Sequence, residues 1–222
     1  IKGLMINLFH YFWPSLLQVD GFLQEFITPI VKCTKGQQEI RFYTIPEYEA
    51  WKEMNGNGRS WKIKYYKGFG TSTAQEAREY FSDLGTHLIS FGWDEGAGDQ
   101  IDMAFSKKRA NDRKDWLRTL EQGTFVDYAV DVMSYDAFVN KELILFSHAD
   151  NQRSIPHFMD GLKPAQRKVL YACFKRNLKN EIKVAQLAGY VAEHSAYHHG
   201  EASLTGTIIN MAQNYVGSNN IN

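Results

Sequence analysis

The sequence predicts an α/β first portion followed by a mainly helical last third. Two observations carry this. Between Trp61 and Leu84 an alternating strand pattern, a glycine-rich turn and a capped helix follow one another. From Leu162 onward the strand patterns give way to three short helical periods, the first of them strongly basic. Three short helices of that kind form a helix-turn-helix or winged-helix core. No internal repeat is present.

The elements follow in order. Leu4, Leu8, Phe9, Tyr11 and Phe12 recur near helical spacing, so Ile1–Leu17 reads as an amphipathic or mostly buried helix with Pro14 close to its end. Phe26–Val31 and Ile40–Ile45 are apolar and β-branched, and the turn Cys33–Gly36 between them makes a hairpin. Pro46–Met54 is a short helix with proline at its first position, and residues 55–58 are a loop. Trp61–Tyr66 alternates as a strand. Thr73 and Glu76 form a capping box for a helix from Ala74 to about Leu84. Gly92–Asp99 reads as a loop, and Ser106–Arg109 leads into a charged helix, Ala110–Leu120, anchored by Trp116 and Leu117. Residues 121–135 lack period and read as a linker. In the last third, Leu162–Asn177 places Val169, Leu170, Cys173 and Phe174 on one face. Val184–His194 follows, and Leu204–Tyr215 turns Ile208, Met211 and Ala212 inward with Gly217 as its cap.

Composition narrows the function classes. The chain has 222 residues, 44 % hydrophobic and 14 % aromatic, which excludes a disordered chain. Basic and acidic residues balance at 25 each, so a globally basic coat is excluded but a local patch is not. That patch exists: residues 151–185 hold eight Lys or Arg against Asp160 and Glu181 only. Such a window is either a phosphate footprint or a solvated helix face. No apolar run approaches the ~18 residues of a membrane span. Cys33 and Cys173 form neither a disulfide framework nor a zinc motif, which fits a reducing compartment, cytosol or nucleus. The first residue is Ile1 rather than Met, and a longer parent protein is expected.

Several motifs have chemistry as one reading and plain structure as the other. Lys67-Gly68-Phe69-Gly70-Thr71-Ser72, between strand and helix, could present N–H groups to an anion, but it has neither P-loop nor Gly-x-Gly-x-x-Gly spacing. A tight structural turn is the favoured reading. His194, His198 and His199 have spacing that could suit zinc, yet no cysteine lies nearby, and hydrogen bonds to phosphate or backbone are favoured instead. Ser106-Lys107-Lys108-Arg109 is a compact cationic tip. No Gly-x-Ser-x-Gly and no paired-carboxylate signature occurs.

A series of motifs in order resembles the DNA-gate region of eukaryotic-type type IIA DNA topoisomerases, including those of large DNA viruses. Those that carry it include Ile1-Lys2-Gly3-Leu4, Glu25-Phe26-Ile27-Thr28-Pro29-Ile30, Tyr65-Tyr66-Lys67-Gly68-Phe69-Gly70-Thr71-Ser72, Arg153-Ser154-Ile155-Pro156, Asp160-Gly161-Leu162-Lys163-Pro164, Gln166-Arg167-Lys168-Val169-Leu170, Tyr197-His198-His199-Gly200-Glu201 and Val216-Gly217-Ser218-Asn219-Asn220. The resemblance spans essentially the whole chain. Phe69 departs from the leucine more usual at its place.

The resemblance implies the C-terminal half of a TOPRIM domain over residues 1–90, a connector with a charged helix over 91–136, and the N-terminal part of a winged-helix DNA-gate domain over 137–222. It implies a parent that binds double-stranded DNA as a homodimer, breaks both strands through a tyrosine, passes a second duplex and reseals, using Mg²⁺ and ATP. A nuclear location follows, or a cytoplasmic viral factory for a viral parent. By the same resemblance the nucleophilic tyrosine and its preceding arginine lie beyond Asn222, the acidic metal ligands lie before Ile1, and the ATPase domain lies elsewhere. No catalytic residue or metal ligand is therefore assigned in this chain. What carries over is DNA contact: Lys107 and Lys108 on the cationic turn, Lys163 at a helix start, and Tyr197 and Ser203 flanking the His-His-Gly turn. Arg167, Lys168 and His199 rank second. Two rival readings are a stand-alone winged-helix DNA-binding protein and a TOPRIM metal nuclease.

Overall fold

Helix α1 (Lys2–Phe12) buries the side opposite to the one its large apolar residues suggest. Gly3 and Ile6 face the interior, while Leu4, Leu8 and Tyr11 are exposed. The reason lies at Gly3, where a Cβ would come within 2.9 Å of Phe105 Cζ. The absent side chain lets the neighbouring elements close onto this face. A 3₁₀ turn, Pro14–Gln18, follows. The computed structural model describes residues 1–66, 69–197 and 200–215, so Lys67, Gly68, His198, His199 and the expected cap Gly217 lie outside the described residues. The fold is mixed α/β followed by mainly α, in two units, Ile1–Phe146 and Ser147–Asn222.

The first unit holds two three-stranded sheets. Strand β1 (Gln24–Phe26) leaves the chain before an excursion of β2 (Val31–Lys35), β3 (Gln38–Phe42), α2 (Ile45–Met54), β4 (Lys62–Tyr65), α3 (Ala74–Ser82) and the short α4 (Leu84–His87). Strand β5 (Leu88–Gly92) then returns antiparallel to β1, with Glu25 opposite Ile89. The hairpin forms, but one arm begins at Val31 and the reversal sits after Lys35, where Gly36 takes φ +60°. Cys33 is thus mid-strand, paired with Ile40 and Ile63. Thr28-Pro29 separates this sheet from β1, since proline cannot donate to a ladder. Phe42, Tyr48, Trp51 and Trp61 pack over it, with Phe42–Trp51 and Trp51–Trp61 ring centroids each 5.3 Å apart. The Thr73–Glu76 capping box forms in both directions at the start of α3.

Two expectations fail past residue 90. The stretch read as a loop already contains the end of β5 and the start of α5 (Ala97–Phe105), whose Ala97 and Ile101 are fully buried. Glycines at 96 and 98 weaken the local helix signal, and burial supplies what propensity does not. After α6 (Ala110–Arg118), the supposed linker yields β6 (Val132–Ser134), which pairs parallel with β5, Phe91 opposite Met133. Val126 in that stretch is also buried. Helix α7 (Tyr135–Phe138) and a π-helical turn, Val139–Leu143, complete this core.

Helix α8 (Ile144–Ser154) carries the division at Phe146. The second unit is built on α9 (Pro164–Lys175), α10 (Val184–His194) and α11 (Glu201–Ala212). Val169 and Ala172 meet Leu187, Ala188 and Val191, and Leu204, Ile208 and Met211 close the core. Each large residue here contributes about 1.5–3 kcal/mol on burial. Phe174 is 80 % exposed and Ala212 is exposed, against expectation. The buried stripe of α9 runs through Ala172, where a small residue lets the other two helices approach.

Candidate nucleic-acid interface

The basic tip at 106–109 is two kinds of cation on one rigid turn. Lys107–Arg109 forms a 3₁₀ turn capped by Ser106, whose Oγ accepts from the Lys108 N–H. Arg113 Nη1 donates to the carbonyls of Met103 and Ser106 at 2.9 and 2.6 Å, so the end of α5 is fastened to α6. Arg109 is consumed internally, reaching Asp99 and Asp112 at 2.6 Å each. Hydrogen bonds from Asp112 and then Asp99 hold its pKa above the usual arginine value. Lys107 and Lys108 are exposed and have no ion-pair partner among the described residues. Their charge is available to an external anion.

In the second unit the chain between α8 and α9 is pinned at several points. The His157 N–H donates to the Leu162 carbonyl at 3.0 Å, and the Gly161 N–H to His157 O at 2.7 Å. Asp160 accepts from the Leu162 N–H at 3.0 Å, and from Arg167 through Nε at 2.9 Å and Nη2 at 3.0 Å. The Leu162 N–H, with the Arg167 guanidinium, holds the Asp160 carboxyl below its ordinary range. Solvent screens this exposed pair, so it adds little stability, and its effect is to fix the entry into α9. Lys163 is the residue before that helix, its own N–H capped by Gln166 Oε1 at 2.8 Å. Pro164 at the first helical position fits a site whose N–H would find no partner.

A pocket of about 380 Å³ opens in the same unit, lined by Arg153, Pro164, Ala165, Lys168, Tyr197 and Ser203. Pro164 and Ala165 begin α9, and Ser203 lies in the first turn of α11. Two positive helix ends and two cationic side chains therefore meet one cavity. That favours an anion with several oxygens, such as a phosphate of a polynucleotide backbone. Lys168 Nζ donates to the Ala196 carbonyl at 2.9 Å and lies 5.9 Å from the Tyr197 ring centroid.

The structure thus gathers three of the sequence-derived residues, Lys168, Tyr197 and Ser203, around one cavity. Lys163 and Arg167 stand at its approach without lining it. Lys107 and Lys108 belong to the other unit, and His199 lies outside the described residues. Sequence reasoning passed over Arg153, which lines the pocket and pairs with Asp150. Its signal was membership of the basic window. His194 gives Nδ1 to the Tyr190 carbonyl at 3.1 Å and stacks on that ring at 4.0 Å.

Comparison with known proteins agrees with this division of the chain. Residues 26–151 match the family model of the C-terminal associated domain of TOPRIM, and residues 153–222 match that of DNA gyrase/topoisomerase IV. Over its whole length the chain is 62 % identical to a probable DNA topoisomerase 2 of Dictyostelium discoideum and 65 % identical to DNA topoisomerase 2 of Plasmodium falciparum. It is 57 % identical to mouse DNA topoisomerase 2-alpha. The crystal structure of the Plasmodium falciparum topoisomerase II DNA-binding, cleavage and re-ligation domain superposes with a TM-score of 0.83, covering 100 % of this chain and 30 % of that one. The chain spans only 15–16 % of the length of these three relatives.

Proposed function

The chain belongs to the family of the C-terminal associated domain of TOPRIM, and from that premise we propose that it is a central piece of a type IIA DNA topoisomerase, the part that grips the duplex to be opened. The observation that supports this best is the pocket in which Arg153, Lys168, Tyr197 and Ser203 meet two helix N-termini. On this reading the second unit is the beginning of a winged-helix gate domain and seats backbone phosphates. Lys163 and Arg167 flank the seat, and His199 belongs to the same contact. The exposed Lys107 and Lys108 add a second contact to the duplex. These groups bind and orient DNA by charge and shape, without reading bases. The first unit contains the end of the metal-holding α/β module, in α1 and the β1-β5-β6 sheet, and the associated domain that begins at residue 26.

The parent enzyme, on this proposal, is a nuclear homodimer that breaks and reseals both strands with Mg²⁺ and ATP. Among the described residues no group of three or more His, Cys, Asp or Glu side chains could hold a metal ion. The donor set does not fit Mg²⁺, and no step assigned to this chain runs through it or through ATP. No helix among the described residues is long and apolar enough to cross a membrane.

The test is duplex binding by the whole chain, followed by fluorescence anisotropy on two unrelated sequences across a salt series. Similar affinity on both, falling steeply with salt, is expected. Binding to one sequence only would replace the gate with a sequence-reading module, and no binding at all would remove the proposal.

A further inference from the structure

We propose that Lys168 is a positioning residue: it holds the turn after α10 and so sets Tyr197 at the mouth of the pocket, rather than contacting phosphate itself. This rests on the duplex-binding reading above. Three observations support it. Lys168 Nζ already donates to the Ala196 carbonyl at 2.9 Å, across 28 residues of sequence. Ala196 stands at φ +48°, a left-handed conformation that an alanine adopts only when its surroundings enforce it. The next residue is Tyr197, whose ring lies under the same ammonium at 5.9 Å.

The neighbouring bonds explain why an extra fastening is needed there. Helix α10 ends when Ser195 returns its N–H to Val191 at 3.0 Å and its hydroxyl to the same carbonyl at 2.6 Å. The chain then has to reverse toward α11, and the usual residue for such a reversal is glycine, which meets no steric cost at positive φ. Alanine stands there instead. A cation bound to the carbonyl of the strained residue, and stacked over the ring that follows, fixes both dihedrals at once. One further feature separates Lys168 from Lys163: Lys163 has no ion-pair partner among the described residues, whereas the ammonium of Lys168 is already bound to a backbone carbonyl.

Two readouts on the whole 222-residue chain decide the matter. The first needs no DNA. In amide and aromatic NMR spectra, Lys168→Met should shift the Ala196 and Tyr197 resonances, and Lys168→Arg, which keeps a donor and a cation, should restore them. Unmoved Ala196 and Tyr197 signals would overturn the proposal. Should Lys168→Met not fold, the wild-type chain supplies the answer through a scalar coupling across the hydrogen bond from Lys168 Nζ to the Ala196 carbonyl carbon; its absence counts against the proposal.

The second readout is the salt dependence of duplex affinity. A lysine that neutralises a phosphate contributes about 0.9 to the log–log slope. Lys168→Met should weaken binding several-fold with the slope unchanged, while Lys163→Ala, the control, lowers the slope by about one. A slope lowered by Lys168→Met would make it a phosphate contact and end the proposal. If the wild-type chain fails to bind duplex, the functional reading fails, and the NMR result still decides the role of Lys168.

Discussion

The hydroxyl of Tyr66 donates to Glu76 Oε1 at 2.5 Å, and that carboxylate also accepts from Lys32 at 3.3 Å, Lys64 at 3.2 Å and the Thr73 N–H at 2.7 Å. Glu76 is 8 % exposed. One side chain therefore caps α3 and ties it to β2, to β4 and to the residue after β4. Burial opposes its charge, but the Thr73 N–H, the Tyr66 hydroxyl and the two lysines hold its pKa far below the ordinary glutamate value. Burial and the same contact push the Tyr66 hydroxyl above the ordinary tyrosine value.

Glu76→Gln keeps the size and some hydrogen bonds but leaves two lysines facing a neutral amide. Lys32 retains Glu39 at 3.0 Å, which limits the damage. A loss of about 2–3 kcal/mol in the first unit is expected, read from urea unfolding. A change under ~0.5 kcal/mol would show that the cluster is not a stabilising contact.

The same carboxylate predicts a pH dependence. Its folded pKa is depressed, so its contribution is complete above the unfolded value of 4.5 and is lost as pH falls through the folded value. Glu25 works in the opposite direction: burial raises its pKa, and protonation at low pH relieves that penalty. The urea midpoint of the wild-type chain should therefore fall more steeply below about pH 4.5 than that of Glu76→Gln. Parallel curves would refute the assignment.

Lys163→Ala should weaken duplex binding alike on unrelated sequences and reduce the salt slope by about one. An effect confined to one sequence would mean that Lys163 reads a base edge.

Replacing both Lys107 and Lys108 by alanine should lower the slope by up to about two and leave unfolding unchanged, because neither side chain pairs within the described residues. A shift in the unfolding midpoint would assign them a structural role instead.

Leu204 is 1 % exposed at the centre of the three-helix core, and Leu204→Ala should cost about 2–5 kcal/mol. Hydrogen exchange should rise in α9, α10 and α11 while β1, β5 and β6 stay protected. Equal acceleration in both sets of elements would mean that the two units unfold together.

How much of this was legible in the sequence depended on how local the determining interaction is. The Thr73–Glu76 box spans three residues and could be read directly, as could the helix starting after Thr44. Strand β6 could not be, because three residues carry no period and its partner β5 lies some 40 residues away. The face of α1 was misread because the packing there is decided by what Gly3 lacks. Of the pocket, Lys168, Tyr197 and Ser203 were found through resemblance to a family rather than through spacing. The bond from Lys168 to Ala196 left no trace, since nothing in the sequence marks an alanine as left-handed.

The excursion between β1 and β5 bears on how the chain assembles. It is closed at its neck by a reciprocal pair: the Ile27 N–H donates to the His87 carbonyl at 2.8 Å, and His87 Nδ1 meets the Ile27 carbonyl at 2.9 Å, 60 residues on. Closing a loop grows slowly in entropic cost with length, by about 0.6 kcal/mol per doubling. With the neck latched, added or lost residues at the far tip of the excursion would barely disturb the central sheet. Its hairpin has near-neighbour pairing and can form early, whereas β1–β5 must wait for both ends to arrive. Folding of the first unit is then set by the speed with which this neck shuts, and His87, 2 % exposed, is the residue whose replacement should slow it.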